Sequence, residues 1–402
     1  MNATFHRLAP RVLAALALCA TVAVPAAAQE PSAEVRLGKI AGWTFTPGII
    51  LGALYDTNVV IASPDENSKT AADKLFTMAP FGDLSYLSPR TTFSSGYQGT
   101  VQRYFDFDNL DGTDHRAYLS LRERMSRRLT VFANETFAQV PTTDRLEING
   151  LPFQRTGARY NALAGGVESR LTRSTDAIVR YEMTWVDFVR KDTDLTGGVV
   201  NGIHTELTRR FSERASAGAE YGVRLADLNE GTSHLFFQDA GGVFRYRTAE
   251  TTVVEASLGF AHLIDRTADT SESGPYAKLG LTRKTERVTF GLAYSRSYVP
   301  SLSFGGTNQS QEARGYAYMP FNRNKFYLQE SASWRRTNPF VQSERPLASI
   351  FVNTALGYGV QRWLRVEGYH QFTTQDNHVP GGQIGRHVGG LQLVVAEPMR
   401  IR

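Results

Sequence analysis

Beyond about residue 40 the chain runs in stretches of roughly 10–14 residues in which apolar and polar positions alternate. In the stretch 214–225, Tyr221 and Leu225 lie on the apolar side, whereas Glu220 and Arg224 lie on the polar side. Successive side chains of a β-strand point to opposite faces, so an alternation with a period of two indicates half-buried strands. The pattern therefore predicts an all-β chain.

Two kinds of break separate these stretches. Short polar turns begin at Ser88, Ser126, Thr172, Ser212, Thr248, Thr285, Asn322 and Gln361. Longer segments rich in Gly, Asp, Asn, Thr and Pro span 57–74, 106–114, 141–156, 191–197, 227–232, 265–273, 300–311, 337–345 and 374–382. Eight turns and nine loops would join about 18 strands, the first over 44–56 and the last over 383–396. The stretch 233–247 shows no clean alternation.

Strict alternation of tight turns with long loops is typical of membrane barrels, whose short turns lie on the periplasmic side. The predicted fold class is a single antiparallel transmembrane up-and-down β-barrel of about 18 strands over 44–396, with a short tail at 397–402. A propeller or a soluble sandwich is disfavoured because each repeat contains two long strands. Aromatic residues such as Trp185 and Trp334 also gather near strand ends, as they do at membrane interfaces.

The beginning of the chain predicts export. Arg7 and Arg11 precede a short apolar run that ends in small residues. A basic segment, a short apolar run and a small-residue cleavage site are the features of a secretory signal peptide. We expect residues 1–28 to be removed together with Cys19, the one cysteine of the sequence, and residues 29–43 to form a periplasmic segment.

Composition adds two exclusions. The mean hydropathy of −0.29 is too low for a bundle of membrane-spanning helices, whereas a barrel needs only alternate apolar residues. The net charge of +5 is small and scattered, so nucleic acid is not an expected partner. The expected surroundings are outer-membrane lipid and lipopolysaccharide, and the expected assembly partner is the barrel-assembly machinery of the outer membrane.

Catalytic and cofactor motifs are not found, and no enzyme, metal or cofactor is predicted. His204 and Glu206 share one face of a predicted strand and could in principle form a catalytic pair, but we interpret them as residues of the barrel wall. Asp56-Thr57-Asn58 offers too few ligands for calcium, so we interpret it as the end of the first strand.

The polar faces of the predicted strands carry charges of both signs. Interleaved opposite charges are typical of a cross-braced wall, and they would also suit a polar track for sugars. The candidate lumen-lining residues are Arg122, Arg124, Arg180, Glu182, Glu206, Glu220, Arg224, Glu255, Arg365 and Glu367. The mixed signs leave the ion selectivity open.

Residues 43–59 run Trp-Thr-Phe-Thr-Pro-Gly-Ile-Ile-Leu-Gly-Ala-Leu-Tyr-Asp-Thr-Asn-Val, with spaced glycines before a Tyr-Asp-x-Asn-Val motif. This segment, together with 81–97, resembles the opening of the beta-barrel porin 2 family of outer-membrane proteins. Residues 389–395 resemble a terminal strand signal, although the usual final aromatic residue is missing. The resemblance implies an 18-stranded pore that exports exopolysaccharide together with a periplasmic polysaccharide-export protein.

Two alternatives remain open from the sequence. One is a general or solute-specific diffusion porin, which a constricting loop folded into the lumen would favour. The other is a structural or adhesive barrel whose loops bind a partner, which a plugged and non-conducting lumen would favour. All three hypotheses place the mature chain in the outer membrane of a Gram-negative cell.

Overall fold

The computed structural model describes residues 42–62, 70–146, 148, 151–189, 195–228, 231–285, 287–301, 307–322, 325–339, 346–376 and 382–401. The predicted signal peptide and nearly all of the predicted periplasmic segment lie outside these residues. No helix within the described ranges is long and apolar enough to cross a membrane.

The described residues form strands throughout, with two short 3₁₀ turns at Asp108–Leu110 and Thr143–Arg145. The strands are β1 Gly42–Asp56, β2 Asp73–Leu87, β3 Thr91–Tyr104, β4 Gly112–Arg124, β5 Leu129–Val140, β6 Ala158–Arg170, β7 Thr175–Phe188, β8 Gly198–Arg210, β9 Ala215–Leu228, β10 Ser233–Ala249, β11 Thr252–Asp265, β12 Thr270–Lys284, β13 Thr289–Pro300, β14 Thr307–Phe321, β15 Phe326–Pro339, β16 Leu347–Gly359, β17 Leu364–Asp376, β18 Gln383–Ala396 and β19 Met399–Ile401.

Antiparallel pairing closes the sheet on itself. Each strand from β1 to β18 pairs with its neighbours in the chain, and β1 also pairs with β18 from Gly48↔Ala396 to Asp56↔Val388. The predicted 18-stranded antiparallel barrel is confirmed, and β18 has the predicted bounds. After a break at 397–398, β19 pairs with 43–45 of β1, so part of the expected tail extends the wall.

The outer face of the wall is apolar. Large side chains such as Phe260 (76% exposed), Leu391 (64%) and Leu258 (60%) point away from the lumen. Closure pairs the backbone groups of the wall with one another, as a sheet in lipid requires. An apolar outer surface on a closed sheet is suited to a bilayer, because exposing these side chains to water instead of lipid would cost free energy.

Aromatic side chains gather on the outer face at the short-turn end. Trp43 packs on Tyr86 with ring centroids 4.8 Å apart. On β14 to β16, Phe326 packs on Tyr358 at 4.6 Å and on Phe321 at 5.6 Å. Such rings are typical of the membrane–water interface, where an aromatic side chain can meet both lipid and water.

The largest apolar cluster lies inside the barrel at the long-loop end. Leu235 and Phe237 of β10 belong to it and are almost fully buried. They lie on the inner face, since they pair with Ala226 and Arg224 of β9. This explains the missing alternation in 233–247, because Leu235 and Phe237 on the inner face lie beside Phe236 on the outer face, so three apolar side chains follow one another.

Candidate functional site: the lumen and the inward loop

The described residues between β5 and β6, namely 141–146, 148 and 151–157, fold into the barrel. The side chains of Leu146 and Leu151 are buried in the inner apolar cluster, which also contains Val186 and Phe237. Burial of these apolar side chains stabilises the inward conformation of the loop. We call these described residues of 141–157 the inward loop.

The same loop reaches the opposite wall, which β16 and β17 form. The ring of Phe153 packs edge-on against Phe351 of β16, with centroids 5.3 Å apart. The Phe153 backbone N–H donates to Gln375 Oε1 at 2.7 Å, and Gln375 Nε2 donates to the Leu151 carbonyl at 2.9 Å. The inward loop is therefore held on both sides of the lumen.

A buried ion triad, which we call the clasp, strengthens the attachment. Arg386 of β18 donates from Nε and Nη2 to Asp56 of β1, with a shortest distance of 2.6 Å, and from Nη1 to Asp144 of the inward loop at 2.5 Å. All three side chains are at most 4% exposed. One guanidinium thus joins the β1–β18 seam to the loop that crosses the lumen, in the fork geometry that arginine offers to carboxylates.

The charge of Asp144 is stabilised by its neighbours. Burial alone would raise the pKa of Asp144, but Arg386, the Thr142 hydroxyl and Arg145 together hold the pKa below its ordinary value. Asp144 is therefore ionised at neutral pH, and its pairing with Arg386 persists there.

Arg155 attaches the inward loop to two other long loops. Its guanidinium donates to the carbonyl of Val59 and to the carbonyl of Leu110, the latter at 2.7 Å, and lies over the ring of Tyr104 at 5.6 Å. Burial lowers the pKa of Arg155 from its ordinary value, yet an arginine remains charged at physiological pH. Three loops are thereby tied together above the lumen.

The Tyr-Asp-x-Asn motif has a structural role in this arrangement. Asp56 supplies the clasp carboxylate, and it also accepts the backbone N–H of Asn58 at 3.0 Å. Asn58 donates to the carbonyls of Ala62 and Gly385 and accepts from the Ala62 N–H. The prediction that this motif ends the first strand is confirmed. The Asp56 carboxylate of the motif accepts hydrogen bonds from Arg386.

Charged side chains also connect the inward loop to β4. Arg116 of β4 and Arg145 of the loop both approach Asp114, at 3.1 and 3.5 Å. Asp114 is 4% exposed, whereas the arginine side chains are 31% and 19% exposed. The more accessible charge of this group is therefore positive.

Strand pairing places all ten candidate lumen residues on the inner face of the wall. Most of them form ion pairs or hydrogen bonds with a partner on the same face. The contacts are Arg122 with Glu168, Arg180 with Glu182, Arg224 with Asp239, Arg245 with both Glu206 and Glu255, Glu220 with Tyr276 and His204, and Glu367 with Arg365 and Tyr327. Arg124 lies two positions beyond Arg122, exposed at the short-turn end.

Several residues of this network are missing from the sequence prediction. Arg386 and Asp144 form the clasp, and Arg245 bridges two predicted acids. A buried group of Glu312 between Arg314 and Arg335 braces β14 and β15. The alternation could place Arg245 and Arg386 on a polar face. It could not identify their partners, because these partners lie on other strands or in a loop.

Neither a family model nor a curated protein matches the chain. Solved structures with a similar fold include OccAB4 of Acinetobacter baumannii (10% identity, TM-score 0.41, covering 90% of this chain and 99% of that one). Others are OpdQ of Pseudomonas aeruginosa (9%, 0.42, 89% and 97%) and the outer membrane protein OpdK of Pseudomonas aeruginosa (12%, 0.41, 88% and 98%). These likenesses are too distant to assign a function. The closed wall and its apolar outer face make the chain an 18-stranded β-barrel of the outer membrane, surrounded by lipid and lipopolysaccharide.

Proposed function

We propose that the protein is a diffusion porin that admits small polar solutes through a lumen narrowed by the inward loop. The observation that carries this proposal is the attachment of 141–157 to both sides of the barrel. Apolar side chains hold it on the β5–β12 side, and Arg386 with Gln375 hold it on the β16–β18 side. A barrel of this size leaves an aqueous channel when its interior is not filled, so a loop across it sets the size limit.

Export of a polysaccharide fits this arrangement less well. A polymer would have to thread past the inward loop, and displacing the loop would break the Arg386–Asp144 pair. Displacing the loop would also expose the buried side chains of Leu146, Leu151 and Phe153 to water, which opposes an open lumen at rest. The exopolysaccharide hypothesis therefore keeps only the sequence resemblance, which rests chiefly on residues 43–59 and 81–97, in its favour.

The attachment of the inward loop carries a small excess of positive charge. The charged residues there are Arg116, Arg145, Arg155 and Arg386 with Asp56, Asp114 and Asp144. Arg116, Arg145 and Arg155 are half-buried, whereas the three aspartates are buried, so we propose that the pore weakly prefers anions over cations.

The test is a size series in proteoliposomes. Purified barrel is reconstituted, and swelling is followed with mono-, di- and oligosaccharides, while a salt gradient across a planar bilayer gives the reversal potential. We expect discrete conductance steps, entry that falls steeply with solute size and a reversal potential of anion-preferring sign. A barrel that conducts no ions would refute the proposal. So would loss of secreted exopolysaccharide in a deletion strain, restored by the wild-type gene but not by a variant with a locked loop.

A further inference from the structure

We propose that the barrel wall contains a binding site for a divalent transition metal, with His204 Nε2 and Glu220 Oε2 as direct ligands and Glu206 as a third, weaker donor. His204 and Glu206 lie on β8, and Glu220 lies opposite Glu206 on β9. The ligand atoms of the three residues all lie within 4.8 Å of one another. This site is independent of whether the lumen conducts, since it concerns equilibrium binding within the wall.

The distance between the two direct ligands fits a metal ion better than a hydrogen bond. His204 Nε2 and Glu220 Oε2 are 3.4 Å apart. An N–H···O hydrogen bond is usually about 2.7–3.2 Å long. Two ligands that each lie about 2.0–2.2 Å from a tetrahedral zinc ion are about 3.3–3.6 Å apart, so an ion fits between these atoms without rearrangement.

Neighbouring groups orient both carboxylates. The Tyr276 hydroxyl donates to Glu220 Oε1 at 2.8 Å, which turns the other oxygen toward His204. Arg245 donates to both oxygens of Glu206, at 2.5 and 2.6 Å. Hydrogen bonds to ligating carboxylates are common around metal sites and fix the ligands in place. Because Arg245 already occupies both Glu206 oxygens, Glu206 is the weaker donor and water completes the coordination.

The charges around the site nearly balance. Gly222 lies opposite His204, and a Cβ there would be 3.5 Å from both His204 Nδ1 and Asp239 Oδ2. A larger residue at position 222 would therefore crowd the His204 ring. Charged neighbours in this part of the wall are Glu182, Glu206, Glu220, Asp239 and Glu255 against Arg180, Arg224, Arg245 and Lys278. With a neutral imidazole the group is net negative.

The donor set indicates the class of metal. Imidazole nitrogen suits zinc, copper and nickel, whereas calcium and magnesium prefer oxygen ligands alone. We therefore assign the site to Zn²⁺, Cu²⁺ or Ni²⁺. With two good ligands, binding should be weaker than at a closed structural zinc site with four protein ligands.

A second histidine pair must be removed before the test. On the outer face, His370 Nε2 and His387 Nδ1 lie 3.2 Å apart and would also chelate a metal. All measurements therefore use a tag-free barrel that carries His370→Ala and His387→Ala. Folding of every variant is checked by its heat-dependent migration on a gel.

The experiment is calorimetric titration with Zn²⁺, together with electron paramagnetic resonance of bound Cu²⁺. We expect one zinc per barrel and a copper spectrum with one coordinating nitrogen. His204→Ala and Glu220→Gln should each weaken binding by at least about 10-fold, and Glu206→Gln should weaken it less. The matched control is Glu367→Gln on β17, across the barrel from β8. Glu367 is an inner-face acid that accepts from a tyrosine hydroxyl as Glu220 does, and its replacement should leave binding unchanged.

Three outcomes would overturn the site. The first is no zinc binding by the background barrel. The second is unchanged affinity in His204→Ala, and the third is a copper spectrum that keeps its nitrogen coupling in that variant. If Glu220→Gln does not fold, His204→Gln decides alone, because glutamine keeps a polar side chain but cannot replace the imidazole ligand.

Discussion

Replacing Asp144 by alanine should free the far side of the inward loop while leaving the barrel closed. Arg386 keeps its contacts with Asp56 in this variant, so the β1–β18 seam retains its ion pair. The loop loses its one carboxylate contact with β18. The perturbation therefore acts on loop position rather than on closure of the wall.

The magnitude follows from the contact that is lost. Arg386 is still paired with Asp56 in this variant, so no uncompensated charge is left in the barrel. The loop loses a hydrogen bond between charged groups, which contributes about 1.5–3 kcal/mol, and the equilibrium shifts by that amount in favour of the displaced loop. At about 1.4 kcal/mol per factor of ten, the displaced population should rise about 10- to 100-fold. Arg155 and Gln375 still hold the loop, so it should open transiently.

Single-channel recording in a planar bilayer measures this directly. Asp144→Ala should show brief steps of higher conductance that are rare in the wild type. Adding Arg155→Ala removes two further hydrogen bonds to backbone carbonyls and should lengthen these steps. In swelling assays the double variant should admit larger oligosaccharides than the wild type.

Asp176→Ala is the matched control. Asp176 lies at the short-turn end and pairs with Arg170 and Arg210, whose side chains are 54% and 43% exposed, so an ion pair is lost at the end of the barrel away from the inward loop. An exposed pair contributes about 0–1 kcal/mol, and conductance should not change. If the Asp144 single variant and the double variant conduct like the wild type, the inward loop does not limit the pore.

Three further predictions concern pH, selectivity and the lipid face. The pKa of Asp144 is lower in the folded protein than its ordinary value near 3.8, so the stability that its carboxylate gives to the clasp is fully present above that value. This stability is lost only as pH falls through the lowered pKa. Conductance steps should therefore be constant from neutral to mildly acidic pH and should enlarge only in strong acid. Arg122→Ala exposes the unpaired Glu168 near the short-turn end and should shift the reversal potential toward cations; an unchanged potential would mean that this pair does not face the ion path. Leu258→Arg places a charge on the lipid face and should lower the free energy of unfolding by about 2–4 kcal/mol if the site lies at the bilayer midplane, whereas Leu258→Ala should cost less in the same titration.

The wall could be predicted from the sequence because its information is local. Each strand repeats a period of two, and each break is either a short turn or a long loop, so count, order and inner face follow from the chain alone. The bounds of β18 agree with the prediction, and β1 starts two residues earlier than predicted. Even β10, whose alternation fails, is a strand, because the inner apolar cluster covers Leu235 and Phe237 while Phe236 faces outward.

The position of the loop was decided only by the tertiary structure. Asp144 and Arg386 are 242 residues apart, and Asp56 and Arg386 are 330 residues apart, so no local pattern relates them. Two unusual features of the sequence meet in the fold. One is the presence of apolar Leu146, Leu151 and Phe153 in a largely polar break, and the other is the missing alternation in β10. Taken alone, the first feature would also fit an exposed loop, and the second would also fit an irregular strand. Only closure of the barrel brings the two surfaces together, where burial of apolar area favours the inward loop.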